Sequence, residues 1–359
     1  MKVSDVPLYS LQSSINMSTH ITCTDITMAG IISTIDLSRW TNPAATEEEL
    51  QNIAEDWHSA FHSSGLVYLT NHGLGGLYDR AATEWEYFCS MERKEKEKFS
   101  STVYGASGYN SVGKEAVALS EGNENSSSGS VLADPVESLE NGYSDAFDDA
   151  FPRSANGYVR GDALRDACLD LYKALDKNVV RPCLAIATKA LDMDETADLE
   201  SSWFAEGSGA YQLRLARYIP RVSVDDHSEV LYGEHTDYDG FTFLWRNKTN
   251  GLQALIDKNW YNIPVMEDDP DGLVINLGDL MQFWTQGVWN SPLHRVMKTR
   301  NRQDSPATSD LVSIVFFAGP HADTKLLPLP SPRIPPANNT RDIITAGEHV
   351  QQKIAKTAQ

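Results

Sequence analysis

The chain has 359 residues, of which 41% are hydrophobic and 22% are charged, as in ordinary soluble globular proteins. Its formal net charge of −20 argues against nucleic acid and anionic membrane surfaces as partners, because both are bound through clustered lysine and arginine. The four cysteines are scattered without a CxxC pair, and neither a membrane-spanning apolar run nor a signal peptide is visible. We therefore expect a cytoplasmic protein.

The N-terminal third begins without strong patterning and then predicts a helix, a strand and a second helix. Residues 1–30 are polar and predict an N-terminal arm. Thr46 and Glu49 form a capping box ahead of apolar residues at helical spacing, which predicts the start of a helix. A buried strand is predicted over 65–71, and the second helix is predicted to end near Lys98.

The middle of the chain predicts a long loop followed by a helix. Residues 119–145 are rich in Ser, Asn, Gly and Glu, which indicates a surface loop. Apolar residues from Leu164 to Val179 recur at helical spacing and predict a core-facing helix, which Pro182 would interrupt or kink. At the C-terminus, a proline-rich stretch precedes a helix predicted from roughly Thr340 to Ala358.

From about Tyr211 the pattern changes to short strand-like runs separated by glycine, proline, asparagine and aspartate. Closely spaced short strands of this kind favour an antiparallel sandwich or barrel. The predicted strands cover 210–218, 241–246, 273–277, 293–298 and 311–318.

Three side chains in this region form a candidate metal site. His235 and Asp237 are two residues apart, and on a strand such residues point to the same face, so both can converge on one ion. His294, in the run S-P-L-H-R-V, supplies a third ligand. Two imidazoles and one carboxylate leave half of the coordination sphere open, as in non-haem iron(II) oxygenases, although catalytic zinc uses the same ligand set.

A series of short motifs from about Ile31 to Pro320 surrounds these ligands. They are Ile35-Asp36-Leu37-Ser38, Gly65-Leu66-Val67-Tyr68-Leu69-Thr70-Asn71-His72-Gly73, Gly108-Tyr109, His235-Thr236-Asp237, Gly251-Leu252-Gln253-Ala254-Leu255, Val274-Ile275-Asn276-Leu277-Gly278-Asp279, His294-Arg295-Val296 and Ser313-Ile314-Val315-Phe316-Phe317. In this order and spacing they resemble the isopenicillin N synthase-like family of 2-oxoglutarate/iron(II)-dependent dioxygenases.

The resemblance implies a mainly β fold with flanking helices, a double-stranded β-helix (jelly roll) barrel. It divides the chain into an N-terminal arm (1–30), an N-terminal helical cap region (31–200), a jelly-roll iron/2-oxoglutarate domain (201–330) and a C-terminal, helical extension (331–359). It makes His235, Asp237 and His294 the catalytic iron(II) ligands, with 2-oxoglutarate and O2 as co-reactants. It makes His72 a structural residue.

The chain departs from the family pattern on its last predicted strand. Family members carry an R-x-S pair there, whose arginine grips the distal carboxylate of 2-oxoglutarate, whereas this chain has Leu311-Val312-Ser313. A leucine offers no donor to a buried carboxylate. Either 2-oxoglutarate is held by Ser313, Tyr218 and an arginine from elsewhere, or the enzyme does not use it.

Arg214 is the best candidate for the replacement arginine, because it shares a predicted strand face with Tyr218. A structural ion pair is an equal alternative for Arg214. Arg300 and Arg302 are further options.

The resemblance implies a non-haem iron(II) and 2-oxoglutarate-dependent oxygenase that hydroxylates, desaturates or oxidatively cyclises a small specialised metabolite, as a monomer or a weak homodimer. The alternative is a 2-oxoglutarate-independent iron oxidase that forms a ring, like isopenicillin N synthase. A zinc hydrolase and an inactive binding protein are two further classes. Candidate pocket residues are Phe243, Trp245, Phe283, Trp284, Gln286 and Phe317, although aromatic residues at strand spacing more often belong to the core.

Overall fold

The computed structural model describes residues 32–100, 107–115, 133–141, 151–194, 196, 198–219, 229–247, 250–266, 268–298, 310–336 and 343–357. The predicted N-terminal arm lies outside these residues. Within them, two β-sheets pack together and helices cover one of the sheets. None of the helices in these ranges combines the length and the apolarity needed to span a lipid bilayer.

The described strands follow the predicted pattern closely. In chain order they are β1 (Ser33–Asp36), β2 (Leu66–Thr70), β3 (Gly108–Asn110), β4 (Val136–Glu140), β5 (Ala210–Tyr218), β6 (Val230–His235), β7 (Phe241–Arg246), β8 (Leu252–Ile256), β9 (Asn259–Asn262), β10 (Leu273–Leu277), β11 (His294–Met297) and β12 (Leu311–Gly319). All five strands predicted after Tyr211 are confirmed, as is the predicted strand over 65–71.

The described helices are shorter and more interrupted than predicted. In chain order they are α1 (Leu37–Trp40), α2 (Glu47–Ser63), α3 (Gly75–Ser90), α4 (Arg93–Lys96), α5 (Ala163–Leu175), α6 (Arg181–Ala190), α7 (Leu199–Trp203), α8 (Asp279–Trp284) and α9 (Ala346–Thr357). The second predicted helix is divided between α3 and α4, and the predicted C-terminal helix begins later, as α9.

The capping box at the start of α2 is present as predicted. The Thr46 hydroxyl accepts a hydrogen bond from the Glu49 backbone N–H at 3.2 Å, and the Thr46 N–H donates to the Glu49 carboxylate at 2.8 Å. These bonds satisfy backbone donors that the first helical turn leaves unpaired. Helix α2 then buries Ile53, Trp57 and Phe61 in the core.

The chain stays helical around Pro182, but the helix changes from α-helical to π-helical geometry just before it. Residues Asp176–Val180 form a π-helical segment between α5 and α6, and Pro182 lies in the first turn of α6. A proline in a first turn removes no intrahelical hydrogen bond of the helix it begins. The chain therefore passes from α5 to α6 through a widened turn.

The larger sheet has eight strands in the order β1-β2-β10-β7-β12-β5-β4-β3, and the smaller sheet has the order β6-β11-β8-β9. Neighbouring strands are antiparallel, except for the parallel pair β1 and β2. Strands from the first 200 residues thus extend both edges of the larger sheet.

The two faces of the larger sheet pack against different partners. One face joins the helices in the main core, in which Trp57, Phe61 and Trp85 are fully buried. The sheet residues in that core include Leu213, Leu215, Phe241, Phe243, Trp245, Ile275, Ile314 and Phe316. The other face packs on the smaller sheet through two apolar clusters, one containing Tyr68 and Leu252 and the other containing Tyr218 and Leu231.

The predicted surface loop over 119–145 is wrong in part. Its segment Val136–Glu140 is the buried strand β4, which pairs with β3 and β5. The polar residues that suggested a loop find partners inside the protein: Glu137, for example, accepts hydrogen bonds from Lys96 and the Tyr109 hydroxyl, each at 2.6 Å. Residues 116–132 and 142–145 lie outside the described ranges.

An ion pair between Arg333 and Glu55 ties the segment after β12 to α2. Both terminal nitrogens of Arg333 donate to the Glu55 carboxylate, at 2.5 and 3.0 Å. These hydrogen bonds lower the pKa of Glu55 to about 2 from its ordinary 4.5. The lowered pKa means that the pair stabilises the fold above about pH 4.5, and that this stabilisation is lost as the pH falls toward 2.

Arg333→Gln is therefore expected to lower the free energy of unfolding at pH 7 by up to about 1 kcal/mol, since the pair is partly exposed. The difference from wild type should shrink at pH 3. Urea unfolding at both pH values measures it. Arg93→Gln, which removes an exposed pair with Glu97, is the matched control and should have little effect at either pH. An equal loss for Arg333→Gln at both pH values would contradict the role given to Glu55.

Candidate metal centre

The three predicted ligands meet at one point. One possible ligand atom from each of His235, Asp237 and His294 lies within 4.8 Å of the others. The Asp237 Oδ1 atom is 3.9 Å from His235 Nε2 and 3.6 Å from His294 Nε2. The two histidines face each other in register across β6 and β11, with ring centroids 4.2 Å apart. All three side chains are nearly or fully buried.

Backbone carbonyls orient both imidazoles toward this point. His235 Nδ1 lies 2.8 Å from the Gly233 carbonyl, and His294 Nδ1 lies 3.0 Å from the Pro292 carbonyl. A carbonyl can only accept, so each Nδ1 carries the proton and each Nε2 lone pair is left for a metal. Burial, followed by the neighbouring His294 imidazole, lowers the pKa of His235, which keeps it in the neutral form that binds metal.

Asp237 reaches the site in a different way from the one its spacing suggested. Strand β6 ends at His235, so the carboxylate is placed by the turn that follows and not by strand alternation. The start of α8 holds this turn: the Asp279 N–H donates to the Asp237 carbonyl at 2.8 Å and the Leu280 N–H to the Asp239 carbonyl at 3.2 Å. The Thr236 hydroxyl also donates to the Asp279 carboxylate at 2.9 Å.

Asn276 on β10 completes the support of Asp237 and was not singled out as a site residue from sequence. Its Nδ2 donates to Asp237 Oδ2 at 3.2 Å and lies 3.5 Å from His294 Nε2. The bond occupies Oδ2 and leaves Oδ1 directed at the two imidazoles. The only sequence signal was the motif Val274-Ile275-Asn276-Leu277-Gly278-Asp279, in which the asparagine interrupts an apolar strand.

Gly278 allows the close approach of α8 to the metal-binding turn. A Cβ atom at this position would lie 2.0 Å from the Asp239 carbonyl oxygen, which is backbone and cannot rotate away. The Gly278 N–H in turn donates to the Gly240 carbonyl at 2.9 Å. Any side chain at 278 would therefore push the turn that carries Asp237 away from α8.

A cavity of about 110 Å³ opens beside the three ligands, between the two sheets. Its wall includes Gln212, Arg214, Tyr218, Tyr232, Thr242, Leu244, Leu252, Asn276, Val296, Val315 and Phe317. Thr242 Oγ1 and Asn276 Oδ1 are buried in this wall, and neither has a hydrogen-bond partner among the residues that the structure describes. Buried polar atoms without partners are costly, so these atoms and the neutral imidazoles fit a site that receives a metal and polar groups.

Only one of the predicted aromatic pocket residues, Phe317, lines the cavity. Phe243 and Trp245 point to the helices, because the alternate residues Thr242 and Leu244 lie on the opposite face of β7. That face, which packs on the smaller sheet and lines the cavity, is called the inner face of the larger sheet below. Trp284 lies in the main core and donates to the Leu327 carbonyl at 2.6 Å. Phe283 and Gln286 line a different depression next to α9.

The residues expected to contact the cosubstrate lie on the inner face of the larger sheet. The hydroxyls of Tyr218 and Ser313 are 3.4 Å apart and both buried. Burial raises the pKa of Tyr218, so its hydroxyl stays protonated and can donate. Leu311, where the family has arginine, faces Tyr218 in register and belongs to the apolar cluster that contains Leu231.

Arg214 lines the cavity, but its guanidinium is already paired. It donates to Glu140 at 2.6 Å and to Glu115 at 2.7 Å, and all three side chains are buried. Glu115 also accepts from the Tyr232 hydroxyl at 3.1 Å. Burial raises the pKa of Glu140 despite the adjacent arginine. This arrangement corresponds to the ion-pair alternative for Arg214, while Arg300 and Arg302 lie outside the described residues.

His72, the competing histidine, has a structural environment. Its Nε2 lies 2.7 Å from the Asp271 carbonyl, and its Nδ1 accepts from the Leu74 N–H at 3.2 Å. Both ring nitrogens are therefore used to join the loop after β2 to the segment before β10. The predicted structural role agrees with these contacts.

Two protein families match this chain. The 2OG-Fe(II) oxygenase superfamily matches residues 210–320, which contain the three ligands. The family described as non-haem dioxygenase in morphine synthesis N-terminal matches residues 32–149.

Relatives and solved structures agree with these matches. Validamycin A dioxygenase of Streptomyces hygroscopicus subsp. limoneus is 26% identical over 85% of this chain and 81% of its own length. The 2-oxoglutarate-dependent dioxygenase tropC of Talaromyces stipitatus is 25% identical over 91% of this chain and 95% of its own. The crystal structure of a full-length Neurospora crassa protein in complex with alpha-KG shares the fold, with a TM-score of 0.71, 21% identity and coverage of 93% of this chain and 99% of that one.

Asn276→Ala is expected to weaken metal binding roughly 10- to 100-fold, because the Asp237 carboxylate loses the bond that orients it. Metal affinity measured by competition with a chelator under anaerobic conditions checks this. Asn262→Ala removes a comparable amide, bonded to Gln253 at 2.9 Å on β9, and should leave the affinity unchanged. Unchanged affinity in Asn276→Ala would show that Asp237 needs no support from β10.

Gly278→Ala should also weaken metal binding, because the added methyl group forces the turn carrying Asp237 away from α8. The backbone angles at Gly278, φ −94 and ψ 166, suit alanine, so the effect isolates the close contact. Gly76→Ala, where a Cβ meets nothing within 4 Å, serves as the control. The comparison uses the same chelator competition, and a normal affinity in Gly278→Ala would refute the steric role of this glycine.

Proposed function

Because the chain belongs to the 2OG-Fe(II) oxygenase superfamily and is a 2-oxoglutarate-dependent dioxygenase, we propose that it oxidises a small specialised metabolite by hydroxylation, desaturation or oxidative cyclisation. The observation that carries the proposal is the convergence of His235, Asp237 and His294 beside a cavity of about 110 Å³. Family members use iron(II), 2-oxoglutarate and O2.

The strand arrangement supports a double-stranded β-helix as the finer description of the fold. Strands β5, β7, β10 and β12 lie in the larger sheet, and β6, β8, β9 and β11 form the smaller one. The chain thus crosses repeatedly between two facing sheets, as it does in a jelly roll. The ligands lie at the end of β6, in the turn that follows it and at the start of β11, which is one end of this arrangement.

The chain's own residues would prepare the metal and keep it accessible from one side. His235, Asp237 and His294 would hold iron(II) on one face and leave the other face to the cavity. Bound iron(II) supplies the redox chemistry that couples reduction of O2 to decarboxylation of 2-oxoglutarate and oxidation of the substrate. The Gly233 and Pro292 carbonyls fix the imidazoles, and Asn276 fixes the carboxylate.

Tyr218 and Ser313 are proposed to contact the cosubstrate. Their buried hydroxyls can both donate, and they lie on the face of the larger sheet that lines the cavity. The role of Arg214 in this proposal is indirect, since its two carboxylate partners leave it poorly suited to bind a third. It holds Glu115 and Glu140 in place along the cavity wall.

A small, partly apolar substrate suits the remaining wall. Leu244, Val315 and Phe317 offer apolar surface, and Thr242 and Gln212 offer polar contacts. Such walls fix a small molecule mainly by shape and by a few hydrogen bonds. By their names, Validamycin A dioxygenase is an oxygenase of a particular small metabolite and tropC is a 2-oxoglutarate-dependent dioxygenase, which supports the same substrate class here.

The 2-oxoglutarate-independent oxidase is not favoured. It was suggested by Leu311 alone, whereas the relatives named as dioxygenases match over most of this chain. A zinc hydrolase has the same ligand set, but it needs neither O2 nor a 2-oxo acid.

Oxygen uptake and succinate formation test the proposal. Iron-loaded protein, screened against a panel of small metabolites, should consume O2 only with 2-oxoglutarate present and should form succinate in step with oxidised product. Asp237→Ala should lower turnover by more than about 100-fold, since a direct ligand matters more than its supporting partners. Asp170→Ala, which removes an exposed carboxylate paired with Arg80, should retain wild-type turnover.

Three outcomes would contradict the proposal. Substrate oxidation at full rate without 2-oxoglutarate would favour the oxidase. Product formation in the absence of O2 would favour a hydrolase. Normal turnover in Asp237→Ala would remove the metal centre from the reaction.

A further inference from the structure

The distal carboxylate of 2-oxoglutarate lacks a cationic partner at the expected place. At that place Leu311 lies in an apolar cluster with Val136, Tyr218, Leu231 and Val296. A carboxylate buried there without a counter-charge would bear a large desolvation cost. The following inference rests on the proposed use of 2-oxoglutarate, and it asks which residue of this chain supplies the charge.

Arg214 does not meet this need. Its guanidinium bonds Glu115 and Glu140, so the local cluster already contains more carboxylates than cations. A further carboxylate brought to this cluster would be repelled by both glutamates. The cation has to come from another position on the same face of the larger sheet.

Arg246 lies next to Ser313 on the neighbouring strand β7. It is the last residue of β7, and it faces Ser313 of β12 in register. Thr242 and Leu244 precede it on the same face of β7, and both line the cavity. Cross-strand partners have their Cβ atoms about 5 Å apart, so the side chains of Arg246 and Ser313 start from neighbouring positions on the same face of the sheet.

The path from Thr242 to Arg246 leads away from the metal. Thr242 faces Asn276 in register, and Asn276 bonds the ligand Asp237. Arg246 is four residues further along β7, in contact with the carbonyl of Ile263. Ile263 belongs to the same apolar cluster as Leu252, which lines the cavity. Arg246 therefore lies just beyond the part of the cavity lined by Leu244 and Leu252, on the side away from the metal, which is the direction that the distal carboxylate of a 2-oxo acid held at the metal would take.

The charge of Arg246 is not balanced by any carboxylate of the described chain. Its side chain is buried, and its terminal nitrogens donate to two neutral acceptors, the Ile263 carbonyl at 2.8 Å and the Pro264 carbonyl at 3.0 Å. Burial lowers the pKa of Arg246 to about 10. Buried charges are normally paired, and these two bonds use two of the five N–H donors of the guanidinium.

We propose that Arg246 binds the distal carboxylate of 2-oxoglutarate, together with Ser313 and Tyr218, in place of the arginine that Leu311 replaces. The guanidinium offers the planar pair of donors that a carboxylate binds best. The cosubstrate supplies the missing counter-charge. The anchor has thus moved from β12 to the adjacent β7, while the serine of the family pattern has stayed.

A purely structural role for Arg246 is the competing explanation, because its two hydrogen bonds also hold the segment 263–264. The two roles differ in what they predict for a pair of 2-oxo acids. 2-Oxopentanoate has the same chain length and the same metal-binding head as 2-oxoglutarate, but a methyl group replaces the distal carboxylate. Loss of an anchor weakens binding of 2-oxoglutarate alone, whereas loss of a structural residue weakens binding of both acids.

Calorimetric titration of the iron-loaded protein with each acid, without O2, provides the test. Wild type should bind 2-oxoglutarate much more tightly than 2-oxopentanoate. Arg246→Gln should weaken 2-oxoglutarate binding roughly 10- to 100-fold, the range expected for a charged hydrogen-bonded contact, and should change 2-oxopentanoate binding little. Arg217→Gln, on the opposite face of the same sheet and paired with Asp310, should preserve the wild-type preference.

Adding Leu311→Arg to Arg246→Gln should restore part of the preference, because it returns a cation to the other side of Ser313. Equal weakening of both acids in Arg246→Gln, or full retention of the preference, would overturn the anchor while leaving the proposed cosubstrate intact. A wild-type protein that binds both acids equally would overturn the use of 2-oxoglutarate and the anchor together.

Discussion

The pairing of His235 with His294 across β6 and β11 is the constraint on which the site depends. Register alone brings the two imidazoles to a centroid distance of 4.2 Å, and their carbonyl partners keep them neutral and aimed. The position of the third ligand, Asp237, depends on more distant parts of the chain, because Asn276 of the larger sheet and the start of α8 hold it. The site therefore forms only when both sheets and α8 have assembled, which couples metal binding to the complete fold.

Much of this architecture could be predicted from sequence, for a physical reason. Strands β10 and β12 are buried on both faces and are nearly continuous apolar runs bounded by turn residues, while β5 and β7 mix apolar residues with a few polar ones. The metal ligands were predictable because few residue types bind metals and their spacing is distinctive. The support of Asp237 was not, since a turn held by a helix start leaves no periodic signal.

The predictions for β4 and for the aromatic pocket candidates differ from the structure for the same reason: both depend on contacts that a side chain makes only in the folded protein. Strand β4 was taken for a loop because its glutamates are polar, yet Glu137 pairs with Lys96 inside the protein. Phe243 and Trp245 were named as pocket candidates by residue type, and strand alternation turns them to the helices, in agreement with the core alternative. In both cases the residue type alone does not determine which neighbours the side chain contacts in the folded protein.

Arg214 and Arg246, both on the inner face of the larger sheet, also differ in the contacts that the fold gives them. Arg214 lies between two carboxylates, and Arg246 bonds only carbonyls among the described partners. The face of the larger sheet that lines the cavity thus carries two carboxylates beside Arg214 and, beyond the lining, a cation at Arg246, which favours one orientation for an elongated dianion whose other end binds the metal. A motif confined to β12 cannot reveal this, because Arg246 and Ser313 become neighbours only through the register of β7 and β12. A buried anion requires a cation close to it, and the fold allows that cation to come from β12 itself, at the position of Leu311, or from the neighbouring β7, at Arg246.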